Sequence, residues 1–229
     1  MKDFLDYIND FSALLKSGAV WHGTDEPLAP VLSDPDALAD DYIYEFYCYI
    51  CMVIDLMGNY DISFVKGIGK FEYKFPQKAA NKRGKPRFHA FEDNTLQFQI
   101  CAGTKINCSF ASSEDNNPDI SFQRADSSED PNEADIIIIM DAKFKENPDH
   151  ELPKSEVYKF ITISHTLFQL NVSPILKIKF DRFSDMATNC LITNGKSHSG
   201  KKKDLSILTL HNIKEVEGFA PNFKHMVIG

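Results

Sequence analysis

Two acidic residues and a lysine stand where two neighbouring strands are expected to end. Pro118-Asp119 precedes a short apolar stretch, and Asp141-Ala142-Lys143 follows a run of four isoleucines and a methionine. Such a continuous β-branched run is typical of a strand that is buried on both faces. Because side chains alternate along a strand, Asp141 and Lys143 are predicted to share one face, with Ala142 on the other.

These residue types suit a divalent cation beside a positive charge. Mg²⁺ binds one or two protein carboxylates and keeps its other positions for water and phosphate oxygens. A neighbouring lysine can position an attacking water or stabilise the charge that develops on a phosphate. The alternative is structural, with a solvated strand end at Asp141 and Lys143 and a turn at Pro118-Asp119.

Three segments with helical spacing are predicted around these strands. An amphipathic helix runs from Lys2 to about Lys16. A second, largely apolar helix starts at Asp34-Pro35, where the Asp caps and the Pro begins the first turn, and ends near Met57. The third helix runs from Lys154 to about Leu170.

Glu45 is the exception within the apolar second helix. Buried acids are normally paired or bound to a metal, so this carboxylate is a candidate site residue. The alternative is a partly exposed acid on the flank of the helix.

The strand pattern predicts a mixed sheet. The early strands favour an antiparallel meander, and the sequence strand, helix, strand after Met140 favours a right-handed parallel crossover with helices flanking the sheet. Besides the isoleucine run, the predicted strands are Ile62 to Val65, Lys70 to Phe75, Thr95 to Cys101, Lys105 to Ala111, Pro174 to Phe180 and Leu205 to Leu210.

The order Pro-Asp, strand, Asp-x-Lys resembles the PD-(D/E)xK nuclease superfamily. The run Tyr44-Glu45-Phe46 resembles the first-helix element of the nucleases related to the nuclease subunit of the McrBC restriction system, and Glu156-Val157-Tyr158-Lys159 resembles their Asp-Ile-x-Lys motif. The resemblance extends from residue 38 to residue 180 and implies an α/β, restriction-endonuclease-like fold that cleaves phosphodiesters.

The resemblance also implies roles for individual residues. Asp119 and Asp141 would bind Mg²⁺, for which Mn²⁺ can substitute, and Glu45 would complete the acidic cluster as a further metal ligand. Lys143 would be the catalytic lysine. Lys159 would contact a phosphate, although a helix-surface lysine is the alternative.

Three regions are expected along the chain. Residues 1–33 form an N-terminal helix and an irregular lead-in, 34–181 form the nuclease core, and 182–229 form a C-terminal extension packed on that core. A length of 229 residues with 43% hydrophobic content is enough to build a substantial core.

The charge is unevenly distributed, although the net charge is −8. Acidic residues crowd 34–41 and 114–135, whereas basic residues gather in 78–87 and 196–203. An acidic site needs flanking cations before a polyanion can enter, so the basic loops are predicted to bind nucleic acid. The predicted contacts in these loops are Lys82, Arg83, Lys85, Arg87, Lys201, Lys202 and Lys203.

The five cysteines are odd in number and lack a second close pair, which favours reduced thiols and a cytoplasmic location. No apolar stretch approaches the roughly twenty residues of a membrane helix, so no membrane association is expected. The sequence thus predicts a Mg²⁺-dependent endonuclease that prefers DNA to RNA, with restriction or phage defence following from the resemblance alone. An RNA endonuclease of the same fold and a catalytically silent, nuclease-like binding module stay open, as do a homodimer and a separate partner subunit.

Overall fold

An eight-stranded mixed sheet forms the centre of the protein. The computed structural model describes residues 1–18, 39–69, 75, 78–109, 117–168, 177–198, 208–221 and 226–228. The strands are β1 (Asp61–Val65), β2 (Arg87–Glu92), β3 (Thr95–Ala102), β4 (Ile120–Arg124), β5 (Ile136–Lys143), β6 (Asn189–Thr193), β7 (Ile213–Glu217) and β8 (Met226–Ile228).

The strands lie side by side in chain order. The first five form an antiparallel meander, β5, β6 and β7 are parallel, and β8 returns antiparallel to β7. The predicted mixed α/β class is therefore confirmed. An antiparallel meander also forms, but of its predicted strands only Ile62 to Val65 and Thr95 to Cys101 belong to it. The sheet also crosses the predicted boundary at residue 181, because the last three strands lie beyond it.

The helices of the described chain include α1 (Lys2–Gly18), α2 (Asp40–Leu56) and α3 (Lys154–Phe168). Phe4 and Ile8 of α1 are buried against α2, and the ring of Phe4 lies 5.4 Å from that of Tyr44 in an edge-on arrangement. The predicted extents of the first and third helices and the end of the second are confirmed within two residues. The predicted start of the second helix is wrong, because Ala39 has an extended backbone and α2 begins only at Asp40. Asp34-Pro35 itself lies outside the described residues.

Strand β5 is covered on both faces, as its isoleucine run predicts. Ile138 and Met140 pack in one apolar cluster with α1 and α2, whereas Ile139 packs in a second cluster with α3. Alternate side chains thus enter opposite cores, which fixes the register of the strand. Helix α3 connects β5 to β6, and the two strands are parallel neighbours. No helix in the described part of the chain is both long and apolar enough to cross a membrane.

Two predicted strands are wrong where the structure describes them, because their backbone groups bond elsewhere. In 105–109, Lys105 donates to Ala80 O at 2.9 Å and Asn107 donates to Pro131 O at 2.8 Å, so the segment lies between two loops. In 177–180, the amide of Lys179 donates to the Tyr60 hydroxyl at 3.0 Å, and no strand forms. The strand that returns beside β5 is β6 instead.

The predicted strand from Leu205 to Leu210 is also wrong at its described end. Residues 208–210 form a helical turn, in which His211 donates to Leu208 O at 3.1 Å and Asn212, with φ of 52°, ends the turn. Strand β7 begins only after it. The predicted strand from Lys70 lies outside the described residues except at Phe75, which is buried but not in a strand.

Candidate active site

The two predicted metal-binding aspartates face each other across β4 and β5. Ile120 pairs with Met140 in the antiparallel register, so Asp119, one residue before Ile120, lies opposite Asp141, one residue after Met140. The side chain of Asp119 also crosses to the neighbouring strand, where its Oδ2 accepts the Ala142 amide at 2.7 Å. Asp119 is therefore held in place by the backbone of the strand that carries Asp141.

Lys143 joins the two carboxylates. Its Nζ lies 2.6 Å from Asp141 Oδ2 and 3.6 Å from Asp119 Oδ2. The contact with Asp141 confirms the prediction that these side chains share a face of β5. Asp141 is only 6% exposed, so the group lies in a poorly solvated environment where charges interact strongly. One ammonium against two carboxylates leaves an excess of potential negative charge.

Glu45 of α2 belongs electrostatically to the same group. Burial raises its pKa to about 7, Lys143 acts in the opposite direction, and Asp141 and Asp41 raise it further. A carboxylate with such a pKa exchanges its proton near neutral pH. The four residues predicted from the sequence are thus brought into one neighbourhood.

The pKa values of the other two shifted groups move in the same direction for different reasons. Burial raises the pKa of Asp119 well above its ordinary value, Asp141 and Glu45 add to the rise, and Lys143 opposes it. For Lys143, burial acts to lower the pKa, but Asp141 and Asp119 outweigh it and raise the pKa. Lys143 therefore stays an ammonium across the physiological range, and the like charges on the acids are only partly balanced.

The donor set fits a hard cation such as Mg²⁺. Asp119 and Asp141 supply two carboxylates, which is the number that Mg²⁺ commonly takes from a protein. A cation there would relieve the like-charge crowding that raises the pKa of Asp119. Among the described residues, no group of three or more His, Cys, Asp or Glu side chains is arranged to hold a metal ion. Direct ligation by Glu45 stays a prediction.

A cavity of about 260 Å³ borders this group. Asp119 and Glu45 line one part of it, and aromatic side chains of α2 line another. Residues three and four apart on a helix share a face, so Tyr42, Glu45, Phe46 and Tyr49 form one stripe of α2 along the cavity. The remaining lining residues are Lys78, Ala79, Ala102, Gly103 and Asn117.

The basic segment predicted to bind nucleic acid has another set of partners in the structure. Lys82 is 2% exposed, and its Nζ donates to Ser127 O at 3.3 Å, to Ser127 Oγ at 3.1 Å and to Ser128 O at 2.9 Å. Burial lowers the pKa of Lys82. This geometry gives Lys82 an internal role in holding the loop after β4. These contacts argue against the predicted contact of Lys82 with a phosphate.

The neighbouring arginines also pair with that loop. Arg87 lies 2.7 Å from Glu129, and Arg83 lies 3.2 Å from Asp130. The basic segment 78–87 and the acidic loop after β4 therefore lie against each other. The sequence of either segment alone does not predict this pairing. Lys85 is partly exposed and Lys159 is exposed on α3, whereas Lys201, Lys202 and Lys203 lie outside the described residues. Their contacts with nucleic acid stay predictions.

Tyr42 was not predicted from the sequence, although it lines the cavity and its hydroxyl is buried. The available signal was its spacing of three residues from Glu45, which places both on one face of a helix. The signal is weak in α2, because this helix is apolar or aromatic on most sides.

The chain matches no protein-family model, and the searches of curated proteins and of solved structures gave no match either.

Proposed function

We propose that the protein is a Mg²⁺-dependent endonuclease of the restriction-endonuclease-like fold that hydrolyses phosphodiester bonds in DNA. The observation that carries the proposal is the placement of Asp119 and Asp141 across adjacent strands, with Lys143 within reach of both. The mixed sheet, with α2 and α3 packed in two separate apolar clusters, supports the same fold. DNA as the substrate, and restriction or phage defence as the role, come from the resemblance.

Each residue has a defined part in this hydrolysis. Asp119 and Asp141 would hold Mg²⁺, and Glu45 would complete the acidic cluster. The bound metal would stabilise the charge that develops on the phosphate oxygens. The ammonium of Lys143, kept protonated by the two aspartates, would orient the attacking water and donate a hydrogen bond rather than accept a proton.

Because Lys143 stays protonated, another group must accept the proton that the water loses. The oxygen of the water forms a bond to phosphorus, and the bond from phosphorus to the leaving oxygen breaks. Glu45, which shares this acidic neighbourhood, would accept the proton of the water as a carboxylate, and the leaving oxygen would take a proton from the solvent.

A catalytically silent binding module is the second candidate. It is favoured by the close ion pair of Lys143 with Asp141 at 2.6 Å, which would also form in a purely structural salt bridge. The absence of a three-acid metal group among the described residues agrees with that reading. An RNA endonuclease would use the same site, and an assay with both RNA and DNA distinguishes it from the main proposal.

A cleavage assay tests these candidates. The purified protein is incubated with supercoiled plasmid and, in parallel, with single-stranded RNA, in Mg²⁺, Mn²⁺, Ca²⁺ or EDTA. We expect cleavage of DNA in Mg²⁺ and Mn²⁺, and little turnover in Ca²⁺, whose ligand shell is larger and looser. Lys143→Ala and Asp141→Asn should reduce the rate by about a hundredfold or more.

The matched control is Lys154→Ala, which removes an exposed lysine from the first turn of α3. Its rate should equal that of the unchanged protein. Cleavage at an unaltered rate by folded Lys143→Ala would exclude this site. Cleavage of RNA alone would support the RNA endonuclease, and the absence of any metal-dependent cleavage would support the silent module.

A further inference from the structure

The cavity beside the acidic group has a shape and lining of its own. Its volume of about 260 Å³ lies just below the range of typical small-molecule pockets, which begins at about 300 Å³, so it suits one ring system. Phe46 and Tyr49 line it, although they are only 3% and 1% exposed, and Asp119 and Glu45 line it with carboxylates. Exposed Lys78 adds a positive charge at the rim. A flat ring with polar edges would satisfy both parts of the lining.

Tyr42 gives an independent sign that a ligand binds in the cavity. Its side chain lines the cavity and the residue is only 7% exposed, yet among the described residues its hydroxyl has no hydrogen-bond partner. Buried hydroxyls are normally bonded, because an unsatisfied one loses its interactions with water and gains nothing. Two other tyrosines of α2 follow the rule, since Tyr44 donates to Phe219 O at 3.0 Å and Tyr49 donates to Ile100 O at 2.9 Å.

The position of the cavity narrows the choice of ligand. Asp119 belongs both to the proposed cleavage site and to the cavity wall. A substrate whose phosphate lies at the acidic group would therefore place an adjoining part of itself in the cavity. In a nucleic acid that adjoining part is a base, whose faces stack on aromatic rings and whose edge carries hydrogen-bond donors and acceptors.

We propose that this cavity binds one unpaired base of the nucleic-acid substrate, next to the phosphate that is cleaved. The base lies against the wall that includes Phe46 and Tyr49 and hydrogen-bonds to the hydroxyl of Tyr42. In a duplex the base must first leave the stack, which favours sites where pairing is already weak. The inference rests on the proposed function and adds to it a base-recognition pocket.

Binding in Ca²⁺, which should hold the substrate without turnover, provides the test. The probes are two single-stranded oligodeoxynucleotides of identical length, one complete and one with abasic sites throughout its central segment. The unchanged protein should bind the complete strand about tenfold more tightly, as expected for one base that is buried and hydrogen-bonded. Tyr42→Phe keeps the ring and removes only the hydroxyl, and it should lose most of this difference while binding the abasic strand as before.

A second variant tests the cavity without altering its buried wall. Ala79 is exposed and lines the cavity, so Ala79→Phe fills the space with little risk to the fold. It should also abolish the preference for the complete strand. Tyr158→Phe, which removes the hydroxyl of an exposed tyrosine on α3, is the matched control and should retain the preference.

The outcomes separate this inference from the proposed function. If the protein cleaves DNA in Mg²⁺ but binds both strands equally, only the base pocket is excluded. The same holds if Tyr42→Phe and Ala79→Phe both keep the full preference. If the protein neither binds nor cleaves nucleic acid, both proposals fail. Loss of the preference in these two variants, with an unchanged control, establishes the pocket.

Discussion

Lys143 and the two aspartates would contribute differently to a bound metal, although all three lie within one ion-pair group. In the proposed function the carboxylates would be the ligands, whereas the ammonium would repel a cation. Lys143→Ala is therefore expected to retain or strengthen Mn²⁺ binding, and the double variant Asp119→Ala/Asp141→Ala to lose it. Isothermal titration calorimetry with Mn²⁺ and no substrate measures both.

The comparison has a control that lies away from the site. Asp185 is an exposed aspartate in the short 3₁₀ helix Ser184–Met186, and Asp185→Ala should bind Mn²⁺ like the unchanged protein. Equal Mn²⁺ binding by Lys143→Ala and the double variant would show that these carboxylates are not the ligands.

Three of the four buried tyrosines of α2 allow a stability test of the unsatisfied hydroxyl. Tyr42→Phe should raise the free energy of unfolding by about 1 kcal/mol, because it removes a buried hydroxyl that lacks a partner. Tyr44→Phe and Tyr49→Phe should each lower it by about 1 kcal/mol, because each loses a hydrogen bond to a backbone carbonyl. Urea unfolding of the three variants gives the comparison. A loss of stability in Tyr42→Phe as large as in the other two would mean that its hydroxyl is bonded.

At the scale of elements, Asp55 at the end of α2 holds the segment that precedes β6. Its side chain is fully buried, and it accepts the amides of Asp181 at 2.8 Å, Arg182 at 2.9 Å and Phe183 at 3.3 Å. Removing a carboxylate that accepts several buried amides leaves these donors unsatisfied.

Asp55→Ala should consequently lower the free energy of unfolding by about 3 kcal/mol. The control is Asp61→Ala, which alters an exposed aspartate at the start of β1 and should change stability by less than about 0.5 kcal/mol. Thermal or urea unfolding distinguishes the two variants. A similar, small effect of both would show that the amides of residues 181–183 find other partners.

The same segment shows why some elements could be predicted and others could not. The isoleucine run of β5 and the amphipathic pattern of α1 are local signals, and both elements form as predicted. Ile178 and Phe180 alternate like a strand and are buried, but distant groups on Tyr60 and Asp55 bind the neighbouring backbone. Local alternation reports which side chains are buried, not which partner the backbone has.

Strand β2 was not predicted, because its local strand signal is weak. It is short, and it directly follows a basic stretch whose composition is typical of a loop. Its pairing with β3 depends on a two-residue turn, in which Asp93 and Asn94 have φ angles of 50° and 61°. Asn and Asp tolerate such left-handed conformations, so the dipeptide was an available hairpin signal.

The site was predictable to the extent that it follows from strand geometry and motif. The shared face of Asp141 and Lys143 follows from the alternation of side chains, and Asp119 was found by the Pro-Asp motif. The position of Asp119 opposite Asp141 requires the register of β4 and β5, which the sequence does not give. The cavity depends on how α2 lies on the sheet, so its relation to Tyr42 became visible only in the structure.

At the scale of the whole molecule, contacts within the protein engage part of the basic side chains that could otherwise bind a polyanion. Lys82, Arg83 and Arg87 are engaged by the loop after β4. Lys82→Met should therefore change the salt dependence of nucleic-acid binding little. The triple variant Lys201→Ala/Lys202→Ala/Lys203→Ala should reduce the slope of log K against log salt by about 3, if each lysine meets one phosphate.

Fluorescence anisotropy with a labelled duplex, at several salt concentrations in Ca²⁺, measures the slopes. Lys154→Ala is again the control, and it should leave the slope unchanged. A marked reduction of the slope by Lys82→Met, with no effect of the triple variant, would show that nucleic acid binds to the basic segment before β2.

The half-buried acids Glu45 and Asp119 should also make the stability of the whole protein depend on pH. Burial raises the pKa of Glu45 from 4.5 to about 7, and that of Asp119 rises as well. Between about pH 4.5 and 7 the folded chain holds a proton on Glu45 that the unfolded chain has released. Stability therefore falls as the pH rises through this window, by at most about 1.4 kcal/mol per pH unit for one group.

Glu45→Gln removes this titration and should flatten the decline, giving a protein that is more stable than the unchanged one at pH 8 and closer to it at pH 5. Urea unfolding in buffers that contain EDTA measures the effect without a bound metal. Glu151→Gln, which alters an exposed glutamate, should keep the pH dependence of the unchanged protein. Parallel curves for the unchanged protein and Glu45→Gln would mean that Glu45 is solvated and titrates like an ordinary glutamate. Its assignment to the acidic group would then be wrong, while the pair Asp119 and Asp141 would be unaffected.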